Sequence, residues 1–266
     1  MKIFNIESLY AGYDKTPVLK EITTSIKEGD FTGIIGSNGA GKSTFLKTLC
    51  CLLQPISGKI EFLGKPLFDY ESSNLARQMA MVPQFVENIL PFHVNKFVGT
   101  GRFPFQNFWD NESKEDKEIV HNSLVTTRTL HLKDRLLTEL SGGELQLVCI
   151  ARALAQSKKL ILFDEPISNL DINHTIQIMD LLHELNSNGA TILTVLHNIN
   201  IASDYCSNIM ALKNGTIFFE GIPDNCVTGD SISSLFNKDC SVKKNPVTGR
   251  PYIFPHPGFT KNLRSN

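Results

Sequence analysis

Gly36-Ser37-Asn38-Gly39-Ala40-Gly41-Lys42-Ser43-Thr44 decides how the rest of this chain is read. The stretch fits G-x-x-x-x-G-K-[ST] and stands where that pattern needs to stand. The apolar run Phe31 to Ile35 precedes it, and a helical pattern from Ser43 to Leu53, closed by Pro55 and Gly58, follows. Glycines let the backbone curl until several N–H groups point at one centre, and the helix start adds positive potential there. Phosphate oxygens suit such a nest. Lys42 is placed to reach the β- and γ-phosphates of a nucleotide, and Ser43 to hold magnesium. An ordinary glycine-rich turn is the competing reading, and motif and context together reject it.

Further along, Leu160-Ile161-Leu162-Phe163 runs into Asp164-Glu165. Two carboxylates then sit at the end of an apolar strand, where open α/β sheets bind their ligands. Asp164 is expected to complete a magnesium shell through water, and Glu165 to orient or deprotonate an attacking water. Alone, such a pair could as well cap the next helix. Beside a phosphate loop, the catalytic reading prevails.

Leu140-Ser141-Gly142-Gly143-Glu144 opens a helical pattern from Gly142 to Ala155, with Ser141 and Glu144 spaced as a capping box. Two glycines in the first turn are costly, roughly 1 kcal/mol each relative to alanine where they are interior. That cost suggests close approach of another group to the backbone, and a helix start favours an anion.

The 266 residues, 41% of them hydrophobic, suffice for one elaborated domain or two small lobes. Lys and Arg number 26 against 27 Asp and Glu, so the overall charge draws the chain neither to nucleic acid nor to an anionic membrane. No apolar run approaches the roughly 18 to 20 residues that span a bilayer. The start, MKIFNIESLYAGY, has no cationic and apolar leader pattern, so the chain is expected to stay in the cytosol. Cys50, Cys51, Cys149, Cys206, Cys226 and Cys240 lack metal-ligand spacing and read as reduced thiols.

Strand-like patches fall at Ile3 to Leu9, Leu19 to Ile26 and Phe31 to Ile35, and return at Leu160 to Phe163 and Thr191 to Leu196 around a helical Asn173 to Leu185. Between them the chain turns aromatic (Phe97, Phe103, Phe105, Phe108, Trp109) and then helical, with a charged run from Glu112 to His121. Lys213-Asn214-Gly215-Thr216 reads as a tight hairpin. The segment after Pro223 reads as irregular, with a proline-rich tail that wraps the surface or frays. The expected class is α/β, a P-loop NTPase core with a mixed, mainly parallel sheet, an antiparallel β subdomain and an inserted helical subdomain. The expected division is 1–84 and 157–222 for the core, 85–156 for the insertion, and 223–266 for a C-terminal extension.

Taken in order, these segments resemble ABC ATPases over nearly the whole chain. Leu140 to Glu144 looks like their LSGGQ signature, lying between a Walker A loop and a Walker B strand. Tyr13 resembles the aromatic that stacks on adenine, Gln84 the Q-loop glutamine, Ser168-Asn169-Leu170-Asp171 the D-loop, and His197 the switch histidine. The resemblance implies ATP and Mg2+ as ligands, with the magnesium near Ser43, Gln84 and Asp164, and catalysis by Glu165, His197 and Gln84. It implies a head-to-tail homodimer in which Ser141, Gly142, Gly143, Glu144 and Asp171 of one subunit face ATP on the other. Glu144 stands where glutamine is more usual, and Asn169 where alanine is.

Gly101-Arg102-Phe103-Pro104, Leu140 to Gln146 and Asn245 to Tyr252 are similar to ATPases that energise importers of iron-siderophores, haem or cobalamin. That likeness implies integral-membrane permease subunits, an extracytoplasmic substrate-binding protein, a peripheral place on the cytoplasmic side of the membrane, and no nucleic-acid partner. A zinc or manganese importer is the nearest alternative. A permease-free ABC ATPase acting on nucleic acid or ribosomes, and a small-molecule kinase, are further ones. The aromatic segment reads equally as a groove for a permease helix or as packing within the helical lobe.

Overall fold

The computed structural model of the chain describes residues 1–84, 90–106 and 112–256. It begins with two long antiparallel strands, β1 (Lys2–Tyr13) and β2 (Thr16–Lys27). Both run past the patches read from sequence because each changes face midway. In β1 the buried side chains alternate at Phe4 and Ile6, with Ile3 also buried at the strand start, and then at Leu9 and Ala11, a switch of parity at Ser8, whose φ is +44°. In β2 the same happens at Glu21 (φ +55°), between buried Leu19 and Ile22. A bulge in each strand thus keeps one face of a twisted ribbon on the core.

β3 (Phe31–Ile35) is wholly buried and leads into the glycine loop and α1 (Lys42–Leu49). The helix stops four residues short of the expected end: Cys51 is left-handed (φ +57°), and Pro55 opens β4 (Pro55–Phe62) instead of closing a helix. β4 and the two-residue β5 (Lys65–Pro66) complete a four-stranded antiparallel sheet in the order β2-β1-β4-β5. Next come α2 (Ser72–Gln78) and β6 (Met79–Val82), neither evident from periodicity.

α3 (Val94–Gly99), α4 (Lys114–Thr126) and α5 (Gly142–Gln156) pack around Val94, Val98, Leu124, Val148 and Ala151. The capping boxes at Ser113 and Ser141 set the starts of α4 and α5. Of the aromatic segment, Phe97 packs inward under Arg152, whereas Phe103 and Phe105 are exposed. Phe108 and Trp109 lie outside the described residues.

The main sheet resumes with β7 (Leu160–Asp164), α6 (Ile172–Ser187), β8 (Thr191–Val195), α7 (Ile199–Tyr205), β9 (Asn208–Lys213) and β10 (Thr216–Gly221). Its order is β10-β9-β3-β8-β7-β6, parallel except for β10, which pairs with β9 through the expected Asn214-Gly215 turn. The α/β class with a mixed, mainly parallel sheet is therefore observed. One hydrophobic cluster covers each face of this sheet, one with the antiparallel sheet and α1, the other with α5, α6 and α7.

The segment after Pro223 is regular, contrary to expectation. It forms α8 (Pro223–Cys226), α9 (Gly229–Phe236) and a hairpin of β11 (Cys240–Lys244) and β12 (Pro251–Pro255). Pro251 and Pro255 sit at the two ends of a two-stranded ladder, where a missing N–H costs least. Asn200 accepts from the Ile253 N–H and donates to its carbonyl, and Ser203 donates to the Pro251 carbonyl, so the hairpin is fastened to α7. The last ten residues of the tail, 257–266, lie outside the described residues.

Candidate active site

Four loops leave the carboxyl ends of the adjacent parallel strands β3, β8, β7 and β6, and each carries one expected site element. The glycine loop follows β3, His197 follows β8, Glu165 follows β7, and Gln84 follows β6. They line one open cleft of about 370 Å³ with Asn38, Gly39, Gly41, Lys42, Ser43 and Thr44.

Gly36 makes the first bend. Its φ is +146°, and a Cβ there would stand 2.2 Å from the Leu212 carbonyl oxygen, so no other residue fits. α1 then starts at Lys42 with no side chain capping it, which leaves its first N–H groups available to a ligand. Lys42 is buried, and its Nζ donates to the carbonyls of Gly36 and Ser37, both at 3.0 Å. Two of its three N–H bonds brace the loop, and one remains. Burial lowers the Lys42 pKa, while the charges of Glu165 and Asp164 act the other way.

Ser43 Oγ donates to Asp164 Oδ1 at 2.9 Å. Burial raises the Asp164 pKa, the bond from Ser43 opposes this, and the Glu165 charge adds to the rise. The Lys47 and Lys42 charges act to lower the Asp164 pKa, yet it stays raised, so a further cation favours this buried carboxylate beside a second one. The donors there, a hydroxyl and carboxylates with the Gln84 amide beside them, are the hard oxygens that Mg2+ takes. The residues present therefore fit that ion.

Glu165 is held from both sides. Gln84 Nε2 donates to Oε2 at 2.5 Å, and His197 Nε2 lies 2.5 Å from Oε1. Its backbone is left-handed (φ +53°), a strained choice for glutamate and one typical of functional positions. The pair Glu165 and His197 also walls a second cavity of about 360 Å³ that holds Ser168 and Leu170. Asn169, between them, is left-handed as well (φ +61°), which asparagine tolerates better than alanine does.

Not every expected residue joins the cleft. Tyr13 is 47% exposed and does not line it; the lining residue from that sheet is Val18, for which a half-buried valine in a strand gave no signal. Ser141, Gly142, Gly143, Glu144 and Asp171 lie off the cleft and next to one another. Ser141 and Glu144 make the predicted capping box, and the bonds from the Ser141 N–H and hydroxyl lower the Glu144 pKa. His174, which the sequence reading passed over, lies between Gly143 and Asp171; its place three residues after a helix-capping aspartate was the available signal.

The chemistry of the cleft is that of a phosphate nest with a bracketed carboxylate at its edge. Comparison with known proteins agrees. The pattern described as "ABC transporter" matches residues 19–168. The ferric enterobactin transport ATP-binding protein FepC of Escherichia coli (strain K12) is 38% identical over 250 residues, 94% of this chain and 92% of that protein. The petrobactin import ATP-binding protein FpuD of Bacillus anthracis is 36% identical over 256 residues, covering 96% and 94%. The ATP-binding cassette MJ0796, solved as a dimer in a post-hydrolysis state with ADP and Pi, superimposes with a TM-score of 0.70 at 28% identity, covering 82% of this chain and 98% of that one.

Proposed function

This chain belongs to the ABC transporter family of ATP-binding subunits and is an ATPase coupled to transport; from that premise we propose that it energises import of an iron-siderophore, haem or cobalamin. The ferric enterobactin in FepC's name favours the iron complex among these. The observation that carries the catalytic part is Glu165, bracketed by Gln84 and His197 at the mouth of the phosphate loop.

In this reading the loop N–H groups of Gly36 to Thr44 cradle the ATP phosphates, and Lys42 turns its remaining N–H to the outer ones. Ser43, Asp164 and Gln84 hold Mg2+, which when bound offsets charge on the phosphates. Glu165 takes a proton from the attacking water, and His197 fixes the carboxylate and faces the γ-phosphate. Tyr13 offers its exposed ring to adenine. Ser141, Gly142, Gly143, Glu144 and Asp171 serve the nucleotide of a second copy, a role suited to their place away from their own cleft.

The partners follow from the same reading. Two copies close on ATP and reopen after hydrolysis, which moves permease subunits fed by an extracytoplasmic binding protein. The exposed Leu90, Phe92, Phe103 and Phe105 supply the apolar surface for the permease. Among the described residues no helix is long and apolar enough to cross a membrane; in this reading the permease holds the chain on the cytoplasmic side. The test is to purify the tagged chain from detergent-solubilised membranes of its native cell and identify its partners by mass spectrometry. A polytopic permease is the expected companion; ribosomes or nucleic acid without one would overturn the transport reading.

A further inference from the structure

Gly143 lies where no side chain fits. A Cβ on it would stand 2.1 Å from Cδ2 of His174, 2.4 Å from Cγ and 2.6 Å from Nε2, so one edge of the imidazole rests on the bare backbone of the first turn of α5. Gly142, beside it, has room, with Leu170 Cδ2 nearest at 3.8 Å. A neighbour in the same chain therefore requires the second glycine, where the sequence suggested an anion.

The other edge of the ring faces Asp171. Nδ1 lies 2.9 Å from Asp171 Oδ2, and the His174 backbone N–H donates to Oδ1 at 2.9 Å. Asp171 caps α6 and stays 60% exposed, while the His174 side chain is 31% exposed. One half-buried ring thus joins the start of α5 to the carboxylate that starts α6. A link between two exposed segments buries little apolar surface and adds little to the core. What it fixes is their relative position.

We propose that His174 is a positioning residue that holds Ser141, Gly142 and Gly143 in register with Asp171, so that each subunit presents them to its partner's nucleotide as one unit. The proposal rests on the reading that these residues act across the dimer. Packing of the imidazole sets the height of the α5 start, and its bond to Asp171 sets the distance to the D-loop. Loss of either lets the two segments meet the partner's nucleotide separately, at an entropic cost.

The experiment uses the full chain carrying Glu165→Gln and follows ATP-driven dimer closing by size-exclusion chromatography. His174→Ala is expected to raise the ATP concentration for half-closing about ten-fold. His174→Asn, which keeps a donor toward Asp171 but loses the ring edge over Gly143, should recover closing only in part, to about three- to five-fold. Gly143→Ala should impair closing alone, and its further effect in a His174→Ala background should be smaller than in the unsubstituted chain, because the ring it would strike is gone. ATP affinity of the single subunit should not change in the His174 variants. Closing by His174→Ala at the unsubstituted ATP concentration would overturn the proposal, and if His174→Ala fails to fold, closing by His174→Asn at the unsubstituted ATP concentration decides against it. Ser141→Arg separates the two levels: normal closing by that variant would overturn the cross-dimer reading itself.

Discussion

His197 Nε2 stands 2.5 Å from Glu165 Oε1, on the side of the carboxylate opposite Gln84. Both oxygens of Glu165 are thereby oriented before any water arrives, as a general base at the edge of a phosphate nest must be. Glu165→Gln keeps the shape of the site and removes the base. Hydrolysis should fall about 100- to 10,000-fold while ATP binding persists, leaving a closed dimer that accumulates with ATP. Phosphate release and size-exclusion chromatography on the same sample check both halves, and normal turnover would overturn the assignment of Glu165.

Lys42 braces the loop with two of its N–H bonds and keeps one for a ligand. Lys42→Ala removes a charge-assisted bond to phosphate, so ATP affinity should fall about ten- to a hundred-fold. Titration calorimetry with a slowly hydrolysed ATP analogue measures it. Unchanged affinity would remove the phosphate-loop reading on which the rest depends.

Much of this site was legible because its residues are fixed by backbone chemistry that follows sequence closely. A phosphate loop needs glycines and a lysine at set offsets, and the buried strands β3 and β7 are short apolar runs with turn signals at both ends. What stayed hidden depends on neighbours far along the chain. The bulges at Ser8 and Glu21 break the period-two pattern, so the ends of β1 and β2 look irregular until the partner strand is in place. The elements after Pro223 are short, and their prolines resemble loop punctuation, yet Asn200 and Ser203 of α7 give that segment a surface to pair against. His174 was missed for the same reason: its partner Gly143 is 31 positions away.

Asp164 offers a test by pH. Its pKa is raised in the folded chain, first by burial, so folding favours the protonated form. The stability it contributes is present below the unfolded pKa and is lost as pH rises through the folded one. Asp164→Asn removes the buried charge and keeps an acceptor for Ser43. Without metal and nucleotide, the variant should melt about 3 °C above the unsubstituted chain near neutral pH, and the gap should narrow as the pH is lowered. With ATP and Mg2+ the order should reverse, because the variant loses a carboxylate for the ion. Calorimetry across pH, with and without the ligands, reads both signs.

The helical lobe depends on a second buried pair. Arg102 Nε donates to Asp116 Oδ1 at 2.8 Å, its Nη1 donates to the Ala155 carbonyl at 2.8 Å, and its guanidinium lies 3.8 Å from the centre of the Phe105 ring. Asp116 also closes the capping box of α4 with Ser113. Burial works against its ionisation, yet the bonds from Arg102, Ser113 and Gln106 together bring its pKa down to about 2. Asp116→Ala leaves Arg102 buried without its counter-charge, and the expected loss is about 3 kcal/mol of stability. Because the folded pKa is depressed, that stability is fully present above the unfolded value near 4 and is lost as pH falls through about 2. The deficit of the variant should therefore be constant above about pH 5 and shrink in acid. Neither residue lines the nucleotide cleft, so ATP affinity at neutral pH should hold while the melting temperature drops. A variant as stable as the unsubstituted chain at neutral pH would show that Arg102 finds its counter-charge elsewhere and that this pair does not hold α4 to the turn carrying Phe103 and Phe105.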